Sequence, residues 1–321
     1  MNKPLIFETW LCRCSQLGKL LTNLPTEEAK QKIKDDIKVL ENERDLGVNV
    51  NGNKVKWTPK KESDLLSLKE KLKKEEEDHL PSGAITYLEE EFRRVYWGRK
   101  RELSNKYLTK GTIAEEDALE LLSLIDGTTY WKNEEFLENQ YICGTPDNRQ
   151  VKEKDTKCSW DLESFDKAEL TTLYAWQLKG YMWLEHNYDN KQLQTKTEAE
   201  LCYCLVNAPL ISIENERKSL YYQMNMPDEA DDEWIETIQQ LEKNMIFDVP
   251  AFKVAYPNYD FYNTNLDFSI PAHMRVKKFD VALNPEDIKH ITRRVTMARK
   301  WLVNKEIETN KIRYGYVGNI D

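Results

Sequence analysis

The sequence contains no long apolar run. None of its stretches approaches the roughly 18 consecutive apolar residues of a membrane-spanning helix. The first ten residues, MNKPLIFETW, lack the apolar segment of about 7–15 residues that a secretory signal carries. Mean hydropathy is −0.74, and 32% of the 321 residues are charged. We therefore expect a cytoplasmic protein with long solvated helices and no membrane partner.

Cysteine is scarce, and its spacing argues against both a disulfide framework and a zinc site. Six cysteines in 321 residues do not form a disulfide framework. The pairs Cys12/Cys14 and Cys202/Cys204 are spaced C-x-C, whereas structural zinc sites use C-x₂₋₄-C. On a strand, this spacing turns both thiols to one face. We expect reduced, apolar thiols, with a metal or iron–sulfur site as the less favoured alternative.

The chain also lacks an overall excess of basic residues. Its net charge is −9 and its pI about 5.3, which argues mildly against nucleic acid because phosphate binding needs clustered Lys and Arg. Local basic clusters nevertheless occur at 93–101 (RRVYWGRKR), 275–278 (RVKK) and 293–300 (RRVTMARK), while acid concentrates at 227–234. A solvated helix face is the ordinary explanation of any one cluster, so charge leaves DNA binding open.

Two segments, 26–45 and 60–79, are rich in Lys and Glu, with sparse Leu and Ile at helical spacing. They predict exposed helices that form a helical hairpin around the turn-like GVNVNGNK. The sequence contains no internal repeat. We expect this region to be a projection rather than the seat of chemistry.

After Gly111 the pattern becomes that of a mixed α/β domain. TIAEEDALELLSLI predicts an amphipathic helix, and three β-rich pieces follow: TTYWKN, ENQYICGTPD and VKEKDTKCS. A helix is then expected from about Asp166, where Asp166 and Glu169 form a D-x-x-E capping box, followed by the strand ELCYCLV (200–206). The predicted order is α-β-β-β-α-β. The last helix begins at NPEDIK, with Asn284 as its cap and a proline at its first position.

The stretch GTPDNRQVKEKDTKCSWDLESF (144–165) carries three charged residues on an apparent hairpin. Asp147 follows one apolar strand, and Asp155 and Lys157 share a face of the next because strand periodicity is two. A short connection would place Asp147 beside Asp155. Carboxylates beside a lysine form the oxygen-rich set that Mg²⁺ takes in phosphodiester cleavage, although charged hairpins in solvent are also common.

An acid at the start of the preceding helix favours the metal-site interpretation. Glu115 shares the predicted buried face with Leu119 and Leu122, whereas Glu116 lies on the wet face. A carboxylate at the edge of an apolar face needs a partner. A metal shared with the two aspartates would supply that partner.

Downstream, Gln177 and Tyr181 stand four residues apart on the helix face that also carries Leu173 and Leu184. A core-facing amide needs hydrogen-bond partners. These partners are either backbone groups or the oxygens of a metal site or phosphate, and the residues alone leave both open.

The set in chain order is an acid on the first helix (Glu115), then GTPD (144–147), D-x-K (155–157) and Q-x₃-Y (177–181). On an α-β-β-β-α-β background, this set resembles the PD-(D/E)XK nuclease superfamily. Within it, the set looks most like phage-type recombination exonucleases of the lambda exonuclease and YqaJ-like kind. KGTIAEEDA looks like that group's G-x-x-x-E-x-x-A helix entry, and CRCSQLGKLLT (12–22) resembles their N-terminal segment.

The resemblance implies an α/β, restriction-endonuclease-like PD-(D/E)XK core at 105–210. A phosphate-contacting N-terminal helix at 1–25 and a charged helical insertion at 26–104 would precede it, and a C-terminal α/β extension at 211–321 would follow. The implied activity is Mg²⁺-dependent (or Mn²⁺-dependent) exonuclease digestion of double-stranded DNA ends. Its direction would be 5′ to 3′, in phage-type recombination or repair, and in the host cytoplasm if the chain is phage-encoded.

The implied site residues form two sets, one for catalysis with two metal ions and one for the DNA 5′-phosphate. The first set is Glu115, Asp147, Asp155, Thr156 (through its carbonyl), Lys157 (which would position the water) and Gln177. The second set is Ser15, Lys19, Gln177 and Tyr181. Members of that group often form a homo-oligomeric ring and work with a single-strand annealing protein, and the resemblance extends both expectations to this chain.

Two alternatives remain beside the exonuclease. One is a structure-specific or CRISPR-adaptation-type DNA endonuclease on the same core, because end-dependence comes from loops around the core. The other is a non-catalytic DNA-binding scaffold. The complete charged set argues against this scaffold.

Overall fold

The computed structural model describes residues 4–21, 27–49, 51–76, 80–99, 113–150, 152–188 and 197–314. The chain divides into two compact units. The helical unit comprises residues 1–8, 19–98 and 293–321, and the sheet unit comprises residues 9–18 and 99–292. No helix within the described ranges is both long and apolar enough to cross a bilayer.

Helices outnumber strands in the described residues. The helices are α1 (Cys14–Leu21), α2 (Glu27–Leu46), α3 (Pro59–Glu76), α4 (Ser82–Tyr96), α5 (Glu115–Asp126), α6 (Leu162–Asp166), α7 (Thr172–Tyr188), α8 (Leu210–Gln223), α9 (Asp232–Met245), α10 (Val249–Ala255) and α11 (Pro285–Tyr314). The strands are β1 (Cys12–Arg13), β2 (Leu137–Glu138), β3 (Ile142–Gly144), β4 (Glu153–Cys158), β5 (Glu198–Cys204) and β6 (Val276–Ala282). The mixed α/β class predicted from the sequence is confirmed.

The Lys/Glu-rich segments form the predicted helical hairpin. α2 and α3 pack through Ile33, Ile37 and Leu65, all of which are buried. Between the helices, Val48 and Lys54 form an antiparallel bridge, and Gly47 has a φ of +66°, which an L side chain rarely adopts. Sparse apolar residues therefore suffice for this hairpin, because these three and the partly buried Leu40, Leu68 and Leu72 lie on one narrow seam.

Within the described residues, the strands of the sheet unit form two three-stranded sheets. In the first sheet, β3 lies between β1, to which it is parallel, and β2, to which it is antiparallel. In the second sheet, β5 lies between the parallel β4 and the antiparallel β6. The predicted hairpin of β3 and β4 is therefore wrong. These strands belong to different sheets, and one isolated antiparallel bridge joins Asn148, after β3, to Lys154 of β4.

The order along the chain is α5, β2, β3, β4, α6, α7 and β5. TTYWKN (128–133) forms no strand, and the short helix α6 separates β4 from α7. Because the strands divide between two sheets, the PD-(D/E)XK sheet order remains a prediction.

The capping box predicted at Asp166 and Glu169 is wrong, because α6 ends at Asp166. The box lies five residues earlier. The Asp161 side chain accepts a hydrogen bond from the Ser164 backbone N–H at 2.8 Å, and Ser164 Oγ accepts one from the Asp161 N–H at 3.1 Å. The predicted start of α11 at Pro285 is confirmed.

Helix α5 packs on the second sheet. Its buried residues Ala118 and Leu122 contact the cluster that contains Cys202 and Cys204 of β5. Both thiols lie on this face, as their spacing predicts, and burial raises the pKa of Cys202 to about 12. All six cysteines are thiols that form no disulfide with one another. Cys158 Sγ on β4 donates to the carbonyl that precedes Glu115, at 3.3 Å, which brings the start of α5 to β4.

Candidate active site

Asp147 and Asp155 lie next to each other, as predicted. Asp155 is in the middle of β4 and has no exposed surface. Asp147 Oδ2 accepts two hydrogen bonds from Thr156, one from the backbone N–H at 2.9 Å and one from Oγ1 at 3.2 Å. Burial, and then repulsion from Asp155, raises the pKa of Asp147 to about 7. Two neighbouring carboxylates with this mutual repulsion favour the binding of a cation.

Lys157 supplies one positive charge to this pair. It lies two residues after Asp155 on β4, its Nζ is ion-paired with Asp155 Oδ2, and it lies 5.0 Å from the centroid of the Tyr174 ring. Burial opposes the charge on Lys157, but attraction to Asp155 and Asp147 outweighs burial and raises the pKa of Lys157. The ammonium therefore stays protonated at neutral pH.

Gln177 on α7 orients Asp155. Its Nε2 donates to Asp155 Oδ1 at 2.8 Å and to the Tyr181 hydroxyl at 3.3 Å. All three side chains are buried. The Tyr181 ring needs Gly144, because a Cβ there would lie 2.7 Å from the ring carbon Cε1. The amide nitrogen expected at a DNA phosphate is thus engaged with a carboxylate.

Glu115 lies at the edge of the buried face of α5, in the predicted helix phase. Its side chain is 21% exposed, Glu116 is exposed, and Leu119 and Leu122 are buried. The negative charge of Glu115 contributes to the raised pKa of Asp147, so these two carboxylates interact electrostatically.

The sequence reasoning missed Lys132, whose Nζ lies 2.7 Å from Glu115 Oε2. It belongs to the 129–135 segment, which is bonded to the loop that carries Asp147. In this segment, Asn133 donates from its backbone N–H to the Asp147 carbonyl at 2.8 Å and from Nδ2 to the Pro146 carbonyl at 2.9 Å. TTYWKN alternates like a strand, so its sequence carries no signal of this arrangement.

Arg149 is a second residue that the sequence reasoning missed. It forms ion pairs with Glu185 of α7 and with Glu135, and its Nη2 lies 3.2 Å from Glu185 Oε2. Nearby, Asn148 is fully buried, and its Nδ2 donates to the Trp131 carbonyl at 3.0 Å. These contacts fix the loop after Asp147 against both α7 and the 129–135 segment.

The predicted 5′-phosphate residues on α1 occupy two different settings. Ser15 is exposed in the first turn, beside the buried Cys14. A Cβ at Gly180 of α7 would lie 2.9 Å from Cys14 Sγ, so the start of α1 packs closely on α7. Lys19 belongs to the helical unit, where its Nζ lies 5.2 Å from the centroid of the Tyr87 ring. A role for either in phosphate binding remains a prediction.

The basic cluster 275–278 has structural partners. Arg275 Nη2 donates to Asp248 Oδ2 at 2.8 Å, and Lys277 Nζ donates to two backbone carbonyls at the end of α6, each at 2.8 Å. Lys278 is ion-paired with Asp126. These cations satisfy neighbouring acceptors, so this cluster is not a free basic patch. The cluster at 93–101 lies partly outside the described residues.

The donor set suits a hard divalent cation, because it consists of carboxylate oxygens with a backbone carbonyl at Thr156. Among the described residues, no three acidic, cysteine or histidine side chains already stand close enough together to hold a metal ion. Two of the acids are instead paired with lysines, Asp155 with Lys157 and Glu115 with Lys132. Binding of Mg²⁺ remains a prediction, and the types of residue present would suit that ion.

Similarity to known proteins is visible in the fold. No protein-family model and no curated protein matches the sequence. A phage-related exonuclease from Haemophilus somnus 129PT matches with a TM-score of 0.54 and 20% identity, over 94% of this chain and 97% of that one. The predicted likeness to phage-type exonucleases is confirmed at the level of the fold by this match.

Two structures of LHK-Exo also match at lower TM-scores. The structure in complex with dAMP has a TM-score of 0.43 and 13% identity, over 74% of this chain and 88% of that one. The structure described as an alkaline exonuclease from Laribacter hongkongensis has a TM-score of 0.42 and 12% identity, over 75% and 90%.

Proposed function

Starting from the fold of a phage-related exonuclease, we propose that this chain is a metal-dependent deoxyribonuclease that degrades DNA from its ends. The observation that carries the proposal is the pair of adjacent carboxylates, Asp147 and Asp155, with the ammonium of Lys157 beside them. A structural ion pair needs one acid and one base. Two interacting acids with one base leave an excess of negative charge, which is what a hydrolase that binds Mg²⁺ requires.

In this proposal Glu115, Asp147, Asp155 and the Thr156 carbonyl hold Mg²⁺ or Mn²⁺, with two ions as the expected number. A bound ion would supply a Lewis acid at the phosphodiester and a means of activating water. The chain's own residues set the geometry. Gln177 orients Asp155 through its 2.8 Å hydrogen bond, and Lys157 holds a positive charge where the attacking water and the negative charge of the transition state must be stabilised.

The finer proposals concern the DNA end. We assign reading of a 5′-phosphate to Ser15, Lys19, Gln177 and Tyr181, with 5′-to-3′ digestion of duplex DNA in phage-type recombination or repair. Since the Gln177 amide nitrogen already donates to Asp155, the exposed hydroxyl of Ser15 is the more direct candidate for the phosphate contact. A ring-shaped homo-oligomer, a single-strand annealing partner and a cytoplasmic location complete the proposal.

The test compares end-labelled linear duplex with a closed circle of the same sequence, in Mg²⁺ and in EDTA. The exonuclease proposal expects digestion of the linear DNA only, in Mg²⁺ only, and about tenfold faster from 5′-phosphorylated than from 5′-hydroxyl ends. Ser15→Ala should erase most of that preference. Ready cutting of closed circles with equal rates on both kinds of end would instead indicate an endonuclease, and binding without cleavage would indicate a scaffold.

A further inference from the structure

Lys132 forms an ion pair with Glu115, one of the proposed metal ligands. Its Nζ lies 2.7 Å from Glu115 Oε2, and the two side chains are 38% and 21% exposed. Asp147 also attracts this ammonium electrostatically. Lys132 is therefore a cation at the carboxylates that faces solvent, whereas the other cation, Lys157, is 25% exposed and pairs with the fully buried Asp155.

The backbone of Lys132 is held on both sides. Trp131 accepts from Asn148 Nδ2 at 3.0 Å through its carbonyl and donates from its N–H to Gln150 Oε1 at 3.2 Å. Asn133 donates to the Asp147 carbonyl at 2.8 Å. The Lys132 side chain can thus change its partner by rotamer changes alone, with its Cα fixed beside the loop of Asp147.

A divalent ion and an ammonium compete for the same carboxylate oxygen. An ion bound by Glu115 would repel the Lys132 ammonium, and this partly exposed side chain can leave at low cost because exposed ion pairs are weak. The released ammonium would lie on the open side of the carboxylates, and its neighbour in sequence, Trp131, is 62% exposed. A segment that offers both a cation and an exposed aromatic ring suits nucleic-acid contacts.

We propose that Lys132 is the resident counter-ion of Glu115, that a divalent cation displaces it, and that the displaced ammonium binds a DNA phosphate. Metal loading would then switch on one phosphate contact and so couple metal binding to DNA binding. This inference rests on the proposed nuclease function, so its test must separate the two.

The first experiment measures Ca²⁺ binding to the full chain by calorimetry, because Ca²⁺ shares the preference of Mg²⁺ for oxygen ligands. Lys132→Met should bind Ca²⁺ about fivefold more tightly than wild type, since no ion pair has to be broken. Lys152→Met is the matched control. Lys152 is a 26% exposed lysine paired with Glu200 and Asp280 on the second sheet, and its loss should leave the affinity unchanged.

Asp155→Asn separates the inference from the proposed function. If Asp155→Asn leaves Ca²⁺ binding intact, the metal site and the inference are both wrong. If Asp155→Asn abolishes binding while Lys132→Met has wild-type or weaker affinity, the inference alone is wrong, and Lys132 is a structural tether of the 129–135 segment.

The second experiment measures the salt dependence of duplex binding, with Ca²⁺ and in EDTA. With Ca²⁺, Lys132→Met should reduce the slope of log K against log salt by about 0.9, which corresponds to one phosphate contact. In EDTA the slopes of wild type and variant should be equal, because Glu115 then holds the ammonium. Equal slopes in both conditions, or a reduced slope in EDTA as well, would overturn the proposal.

Discussion

Asp155 and Glu242 are both fully buried carboxylates of the sheet unit, but their partners differ in kind. Glu242 on α9 accepts four hydrogen bonds from neutral donors. These donors are the backbone N–H groups of Tyr262 at 2.8 Å and Asn263 at 3.0 Å, Asn263 Nδ2 at 2.6 Å and the Tyr259 hydroxyl at 3.2 Å. Asp155 accepts one such bond, from Gln177, and is ion-paired with Lys157.

The neighbours of the two carboxylates explain this difference. The hydrogen bonds to Glu242 attach the loop at 259–263 to α9. The Glu242 carboxylate therefore stabilises the fold. Asp155 has a second carboxylate beside it, that of Asp147, whose pKa is raised to about 7 by burial and by that neighbour. Burial of an acid alone therefore does not indicate function. A crowded acid, whose charge the surrounding donors do not balance, is the better indication of a site.

The largest expected effect comes from removing the charge of Asp155. Asp155→Asn should lower Mg²⁺-dependent digestion of linear duplex by about a thousandfold or more, equivalent to about 4 kcal/mol in activation free energy, because an amide is a poor ligand for a hard cation. Circular dichroism should show a native fold. Glu242→Gln, assayed at a temperature where it is folded, serves as the control and should retain its turnover. Wild-type turnover in Asp155→Asn would show that Asp155 is not a metal ligand.

The same two variants should rank in the opposite order when stability is measured instead of activity. Glu242→Gln places an NH₂ group against donors that need an acceptor, so it should lower the free energy of unfolding by about 3 kcal/mol. Asp155→Asn relieves the repulsion of Asp147 and should cost less. Urea denaturation of both variants in EDTA measures the difference. A larger loss of stability in Asp155→Asn would mean that its carboxylate is the structural one.

Local periodicity predicted the helical parts of the site. The choice of Glu115 over Glu116 required only the 3.6-residue repeat of α5, and the shared face of Cys202 and Cys204 required only the two-residue repeat of β5. The α2–α3 hairpin was equally accessible, because its seam depends on spacing within each helix. These features depend on residues a few positions apart.

Pairing between distant segments was not accessible in this way. β4 pairs with β5, whose residues lie 46 positions after their partners, rather than with the nearby β3, and neither strand's sequence indicates its partner. TTYWKN forms no strand because side chains satisfy its backbone. The side chains of Asn148 and Gln150 form hydrogen bonds with the backbone groups of Thr129 and Trp131. Lys132 was missed for the same reason, because its partner is 17 residues away across irregular structure.

A smaller effect should separate the two neighbouring acids of α5. Glu115→Gln should reduce digestion about tenfold to a hundredfold, because it removes one metal ligand while the aspartates remain. Glu116→Gln should change it less than twofold, because Glu116 is exposed on the wet face. Initial rates with Mg²⁺ titrated over each variant measure this, and Glu115→Gln should also need more Mg²⁺. The opposite ranking would contradict the placement of Glu115 in the site.

The last prediction concerns the pH dependence of stability without metal, which follows from the raised pKa of Asp147. In the unfolded chain Asp147 ionises near pH 3.8, but in the folded chain it does so near pH 7. Between these values the folded state holds a proton that the unfolded state has released. The free energy of unfolding should therefore fall as pH rises through this window and level off above it. Asp147→Asn should lack this component, so its stability relative to wild type should increase with pH.

Urea denaturation in EDTA across the window, with Glu116→Gln as the control that follows wild type, provides the measurement. Parallel profiles for wild type and Asp147→Asn would show that burial and the charge of Asp155 together do not raise the pKa of Asp147, and the contrast between Asp155 and Glu242 would lose its physical basis.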